Sequence, residues 1–171
     1  MPTIGVSIAV PDPAGTALQD FRVELGDETA RHIPTHITLV PPTEVSDDGL
    51  IAVVEHLRRI AGDHARFRVR LHGTGTFRPT SPVVFIGVIE GIVGCQQLAA
   101  SAQSGPLAVD VDFPYHPHVT VAHHLAEDLL DRAFTELAGY ETSFEVTDFW
   151  LYVHDETHGW QPDQAFLLSG A

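Results

Sequence analysis

The chain has almost no cysteine and no lysine. Cys95 is its single cysteine, so an intrachain disulfide is excluded. That favours a reducing compartment, and a cytoplasmic location is expected. All nine basic residues are arginine, set against 23 acidic ones, which leaves a formal charge of −14. Such a surface repels long polyanions, because nucleic-acid affinity rests largely on neutralising phosphates. A nucleic-acid partner, if there is one, is expected to be small or gripped at one end. Long hydrophobic runs are missing as well. The longest, Pro82 to Cys95, is cut by Glu90 and falls short of the roughly 20 apolar residues that cross a bilayer. The opening MPTIGVSIAVPDP has no basic segment and meets Pro11 early, which argues against a secretory leader.

What is present is the material for an ordinary core, with 44% hydrophobic residues in 171. TIGVSIAV, residues 3–10, is β-rich and stops at Pro11 and Pro13. Residues 14–31 have helical composition, with Leu18, Phe21, Val23 and Leu25 as imperfect apolar positions. HITLV, 36–40, is a short strand expected to close at Pro41-Pro42. Ser46-Asp47-Asp48 then opens a helix, the hydroxyl as N-cap and the acids at the positive dipole end. Leu50, Val53, Val54, Leu57, Ile60 and Ala61 follow at helical spacing up to Gly62. Residues 66–72 alternate as a strand, Gly73 and Gly75 mark a bend or bulge, and 82–88 is a buried strand. A helix over 92–103 breaks at Gly105-Pro106, HVTVA at 118–122 is a strand, and a helix around Leu129 to Leu137 ends at Gly139. Two last strands are expected near 142–153 and 164–169, with a turn around Gly159. The second half repeats the plan of the first, without a linker between them. A single domain over residues 1–171, made of two pseudo-symmetric lobes, each with a sheet backed by helices, is therefore expected, with a groove between them. The chain is expected to be a monomer.

The clearest internal echo is a motif. Pro34-Thr35-His36-Ile37-Thr38-Leu39-Val40 and Pro117-His118-Val119-Thr120-Val121 both write His, apolar, Thr, apolar just after a proline. On a strand, residues i and i+2 share a face. His36 and Thr38 therefore point one way while Ile37 and Leu39 pack, and His118 and Thr120 do the same above Val119 and Val121. Facing each other across a groove, two imidazoles and two hydroxyls suit in-line displacement at phosphorus. One ring takes a proton from the attacking oxygen and the other gives one to the leaving oxygen. The hydroxyls donate to the non-bridging phosphate oxygens. This chemistry needs no metal or other cofactor. The near symmetry of the motifs leaves open which ring is acid and which is base.

The paired motifs resemble the signatures of the two-histidine (2H) phosphoesterase superfamily, in its LigT-like or 2′-5′ RNA ligase branch. The resemblance spans nearly the whole chain and includes the VVFIGV strand, the FPYHPHVTVA segment and the C-terminal paired strands. It implies an α+β fold of two antiparallel-rich sheets flanked by helices around a central cleft. It further implies His36 and His118 as the acid–base pair and Thr38 and Thr120 as phosphate ligands. The implied substrates are 2′,3′-cyclic phosphates or 2′-5′ linkages of nucleotides or short RNA ends, with RNA ligation as the reverse reaction. Where many members carry Arg or Lys shortly after the second motif, this chain reads Val121-Ala122-His123-His124. His123 is the substitute, a cation only at low pH.

Other candidates are weaker. Arg78, in the loop before the buried strand, is a candidate phosphate contact, and Tyr115 a candidate to stack on a base. Arg66, Arg68, Arg70 and His72 share a strand face that reads as solvated. Gly73-Thr74-Gly75-Thr76 lacks the lysine and the helix of a phosphate loop. His32, His56, His64 and His72 read as surface polarity, and Trp150 and Trp160 as core. The cluster of His116, His118, His123 and His124, and His154 with His158 near Asp155, raise a metal hydrolase as one alternative, though ligand spacing such as HExxH is absent. A nucleotide- or RNA-end-binding module without turnover is the other.

Overall fold

The two His-x-Thr segments fold as edge strands of two different sheets. The computed structural model describes residues 1–108, 110 and 113–171. Its order is β1 (Thr3–Ala9), α1 (Ala14–Glu24), β2 (His36–Glu44), α2 (Asp47–Asp63), β3 (Phe67–Thr76), β4 (Val83–Glu90), α3 (Ile92–Ala102), β5 (His118–His123), α4 (Glu127–Glu136), β6 (Glu141–Val146), β7 (Asp148–Asp155) and β8 (Gly159–Leu167). The strands pair antiparallel in two four-stranded sheets, ordered β2-β1-β7-β8 and β5-β4-β3-β6. The fold class is thus the expected α+β arrangement of two antiparallel sheets flanked by helices.

The sheets do not divide as the repeat suggests. The order strand, helix, strand, helix, strand does occur twice, yet β3 of the first half pairs with β4 and β6 of the second. The first sheet is completed by the C-terminal hairpin of β7 and β8. The helices cross over too: α1 packs on β5, while α3 packs on β2. This exchange leaves β2 and β5 unpaired on their outer edges, and these two edge strands touch. Ile4, Ile8, Ile37 and Leu39 from one sheet and Leu71, Ile86, Val119 and Val121 from the other join Leu57, Leu98 and Leu130 of the helices in one core. Each such side chain contributes about 1.5–3 kcal/mol when fully buried.

Several local expectations are corrected. β2 runs through Pro41 and Pro42 to Glu44. A proline has no N–H for a ladder, and β2 is an edge strand with a free side. The helix expected over 14–31 stops at Glu24, before Gly26 at φ 114°, and a 3-10 turn at Glu28–His32 follows. The single strand expected over 142–153 is two strands that break at Thr147 and belong to different sheets. His56 is no surface residue: it is buried, with Nε2 3.2 Å from the Ala102 carbonyl.

Other details agree with the sequence. Ser46 Oγ accepts from the Gly49 N–H at 2.9 Å and so caps α2. The register of β3 against β4 shifts between Leu71 and Thr74, where Gly73 has φ 81°. Arg68 and Arg70 face solvent and bond Ser143 and Glu141 of β6.

Candidate active site

Both motif strands show one burial pattern. His36 and Thr38 are half-buried and alternate with buried Ile37 and Leu39, and His118 and Thr120 alternate in the same way with buried Val119 and Val121. The apolar face of each strand goes into the core, so the imidazole and hydroxyl are left on the outer face.

Each ring is held by the carbonyl two residues upstream. His36 Nδ1 lies 2.6 Å from the Pro34 carbonyl, and His118 Nδ1 lies 2.7 Å from the His116 carbonyl. A carbonyl only accepts, so Nδ1 carries the proton and donates it. In the neutral ring, Nε2 is then left as a free acceptor. This is the second-partner arrangement that fixes a histidine's tautomer and aim. The first motif is anchored further by Thr35, whose hydroxyl donates to the Gly15 carbonyl at the start of α1. The second is anchored by aromatic packing. Phe77 and Phe85 lie 5.0 and 5.3 Å from the His118 ring, and His116 lies 5.5 Å from it.

Burial pushes the His36 pKa below its ordinary value, the Pro34 bond opposes this, and the charge of Arg22 lowers it further. His118 is likewise pushed down by burial, against its bond to His116, with the His116 and His36 charges adding to the drop. That the His36 charge reaches the His118 ring agrees with the contact of β2 with β5.

Thr38 stands on the wall between two cavities. One, of about 90 Å³, is lined by His36 with Pro34, Tyr152 and Trp160. The other, of about 480 Å³, is lined by His118 with Phe77, Gln103, Tyr115 and His116. Tyr115 reaches the first motif through its hydroxyl, which donates to the Thr38 carbonyl at 2.7 Å. Gln103 Nε2 donates to the Leu39 carbonyl at 2.7 Å. Thr120 shares the strand face of His118 but lines neither cavity.

Two candidates are not brought to these cavities. The Arg78 guanidinium bonds Glu127 at 3.2 Å and Asp131 at 2.8 Å, both on α4, so its charge is already engaged. His123 is exposed at the end of β5, its ring 3.8 Å from that of His124.

Other residues at the site carry little sequence signal. Trp160, expected in the core, is half-buried and walls the cavity of His36. Arg22 is 5% exposed, bonds Asp27 at 3.1 Å, and leaves its Nε without a partner among the described residues. The one hint of it is the imperfect apolar pattern of α1: Ala14, Gly15, Leu18 and Arg22 are its buried stripe, so an arginine occupies a core position.

Known proteins are similar to this chain in sequence and in fold. The model of the 2′-5′ RNA ligase superfamily matches residues 10–158. A Bacillus licheniformis protein provisionally named a phosphoesterase is 29% identical over 138 residues, which cover 80% of this chain and 81% of the relative. A protein of Geobacillus sp. strain WCH70 with the same provisional name is 29% identical over 158 residues, covering 90% and 91%. Among solved structures, Escherichia coli LigT in its apo form has a TM-score of 0.73 at 23% identity over 98% of both chains. Its complexes with NADP+ and with 3′-AMP score 0.71 and 0.68, at 24% and 22% identity, over 99% of both chains.

Proposed function

This chain belongs to the 2′-5′ RNA ligase superfamily, and from that premise we propose that it is a metal-independent phosphodiesterase that opens 2′,3′-cyclic phosphates of nucleotides or short RNA ends. In this reading His36 and His118 are the acid–base pair, and the hydroxyls of Thr38 and Thr120 donate to the phosphate oxygens. A 2′-5′ linkage is the related substrate, and RNA ligation the reverse of its cleavage.

The observation that carries the reading is the pair of equivalent imidazoles on touching edge strands, each bonded through Nδ1 to the carbonyl two residues before it. Such rings offer Nε2 as base when neutral and as acid when protonated. Water attacks phosphorus, one ring takes its proton, and a P–O bond to ribose breaks on the opposite side. The other ring protonates the departing oxygen, and the product is a phosphate monoester. Charge that builds on the non-bridging oxygens is met by hydroxyl donors from both strands. The larger cavity, about 480 Å³ with aromatic walls, falls within the roughly 300–1,000 Å³ typical of small-molecule sites. LigT was crystallised with 3′-AMP and with NADP+, both small nucleotides, which supports a small substrate for this relative.

The test is hydrolysis of nucleoside 2′,3′-cyclic phosphates with and without a chelator. Turnover that resists the chelator and is lost in both His36→Ala and His118→Ala is expected. Binding without turnover would instead make the chain a nucleotide- or RNA-end-binding module, and chelator-sensitive turnover would make it a metal hydrolase.

A further inference from the structure

Ser7 lies in the middle of β1, between Val6 and Ile8, and is only 7% exposed. A buried hydroxyl ordinarily has a hydrogen-bond partner, because leaving one unmade is costly. The Ser7 hydroxyl makes none among the described residues. It is not sealed in either: only Arg22 Nε is both fully enclosed and unpartnered there. The space that Ser7 opens onto is the cavity of about 90 Å³ that His36 and Thr38 also line.

The alternation of β1 explains how the side chain gets there. Ile4, Val6 and Ile8 enter the core, so Gly5, Ser7 and Ala9 make up the other face of the strand. Ser7 pairs with Thr38 across β1 and β2, and Ala9 pairs with His36. Residues directly opposite in an antiparallel pair share a face, with Cβ atoms about 4.5–5.5 Å apart. The Ser7 and Thr38 hydroxyls therefore stand side by side, with the His36 imidazole two residues farther along the face.

We infer that Ser7 is a further phosphate ligand of this site: its hydroxyl donates to a non-bridging oxygen of the phosphate held at His36, beside the oxygen that Thr38 takes. This rests on the phosphodiesterase reading above and adds to it a residue outside both motifs. Two donors about 5 Å apart, each making a bond of about 2.7 Å, reach two different oxygens of one phosphate. The acceptor is an anion, so the bond is of the stronger, charge-assisted kind.

The other donors show why a third hydroxyl matters. No arginine lines this cavity among the described residues. Arg22 is engaged by Asp27, and Arg78 by Glu127 and Asp131. Thr120 lines neither cavity. With no free guanidinium at hand, hydroxyl donors must answer the charge on the phosphate oxygens, and Ser7 adds one from a rigid central strand. A buried hydroxyl that the fold leaves unpaired lowers stability, and a bound phosphate oxygen supplies the missing partner.

The experiment titrates inorganic phosphate into wild type and Ser7→Ala, reads the His36 imidazole resonances by NMR, and compares the Tm of the two proteins. Loss of one charge-assisted hydrogen bond should raise the phosphate Kd about tenfold. The Tm should hold or rise, because alanine removes a hydroxyl that the fold does not use. A Kd within twofold of wild type overturns the inference. So does a lowered Tm, since weaker binding would then follow from a damaged sheet. His36 resonances that ignore phosphate in the wild type overturn it too. The same two proteins are assayed on a nucleoside 2′,3′-cyclic phosphate, where kcat/KM should fall about tenfold in Ser7→Ala. Active wild type with an equally active variant overturns the role of Ser7 and leaves the phosphodiesterase reading standing. Wild type that binds phosphate without turnover takes down that reading alone, and the titration still decides Ser7.

Discussion

The hydroxyl of Tyr115 donates a 2.7 Å hydrogen bond to the backbone carbonyl of Thr38. The residue just ahead of the second motif thus ties down the strand of the first. The side chain is half-buried, and burial raises its pKa, so it stays a neutral donor across the working pH range. Tyr115→Phe removes the donor and leaves the Thr38 carbonyl without it. A stability loss of about 1–3 kcal/mol is expected in urea denaturation. Because β2 carries His36 and Thr38, kcat should fall more than KM rises. Unchanged stability and kinetics would show that the stitch between the strands is idle.

Gly75 offers a second handle at a distance from the substrate. A Cβ there would sit 2.5 Å from Cζ of Phe85, whose ring is 5.3 Å from His118. Gly75→Ala forces Phe85 toward the His116–His118 pair. A cost of about 1–3 kcal/mol is expected from overcrowding. The His118 imidazole resonances in NMR should also move, since the neighbouring aromatic rings shield them. A variant with wild-type stability and His118 shifts would rule out this packing as the support of the ring.

Protonation works against the fold at both motif histidines. Burial lowers both pKa values, so below the unfolded value of about 6.5 the unfolded chain binds protons that the folded chain resists. The contribution is intact above about 6.5 and is lost as the pH falls through the lower folded values. The general acid charge of the chain changes in the same range, so the difference between wild type and His36→Gln isolates the effect. From pH 8 to pH 5.5 the wild type is expected to lose more Tm than the variant. Equal losses would mean that the ring titrates as freely folded as unfolded.

Arg78 is expected to matter for stability and not for substrate. Its guanidinium is engaged by Glu127 and Asp131, two largely exposed carboxylates, and it lines neither cavity. The Arg78 side chain is 18% exposed, but both carboxylates stand in solvent, and such pairs contribute about 0–1 kcal/mol. Arg78→Ala should therefore cost about that much and leave KM within twofold. A KM increase of tenfold or more would place Arg78 on the phosphate after all.

The motif strands were legible in the sequence because strict alternation, His36-Ile37-Thr38-Leu39 and His118-Val119-Thr120-Val121, fixes which side chains pack and which point out. The exchange of β3 into the second sheet was not, since strand pairing is decided by tertiary contacts that a local pattern does not encode. Proline at 41 and 42 reads as a stop only if the strand lies inside a sheet, and β2 lies on an edge. Arg22 was hidden for a related reason. A buried arginine looks like a flaw in the helix pattern until Asp27, beyond the helix end, is seen to hold it. The alternation puts Thr38 on the face of His36, but its position as the wall between two unequal cavities arises only when β2 meets β5 and the segment before it.

One measurement bears most directly on the pairing of the two motifs: a crystal structure of the protein with a nucleoside monophosphate, the class of product of the proposed reaction. The phosphate is expected between the two imidazoles, its oxygens within hydrogen-bonding distance of Nε2 of His36, Nε2 of His118 and the Thr38 hydroxyl, with the base in the cavity of Phe77 and Tyr115. A phosphate bound away from either ring, in an enzyme that still turns over the cyclic substrate, would contradict it.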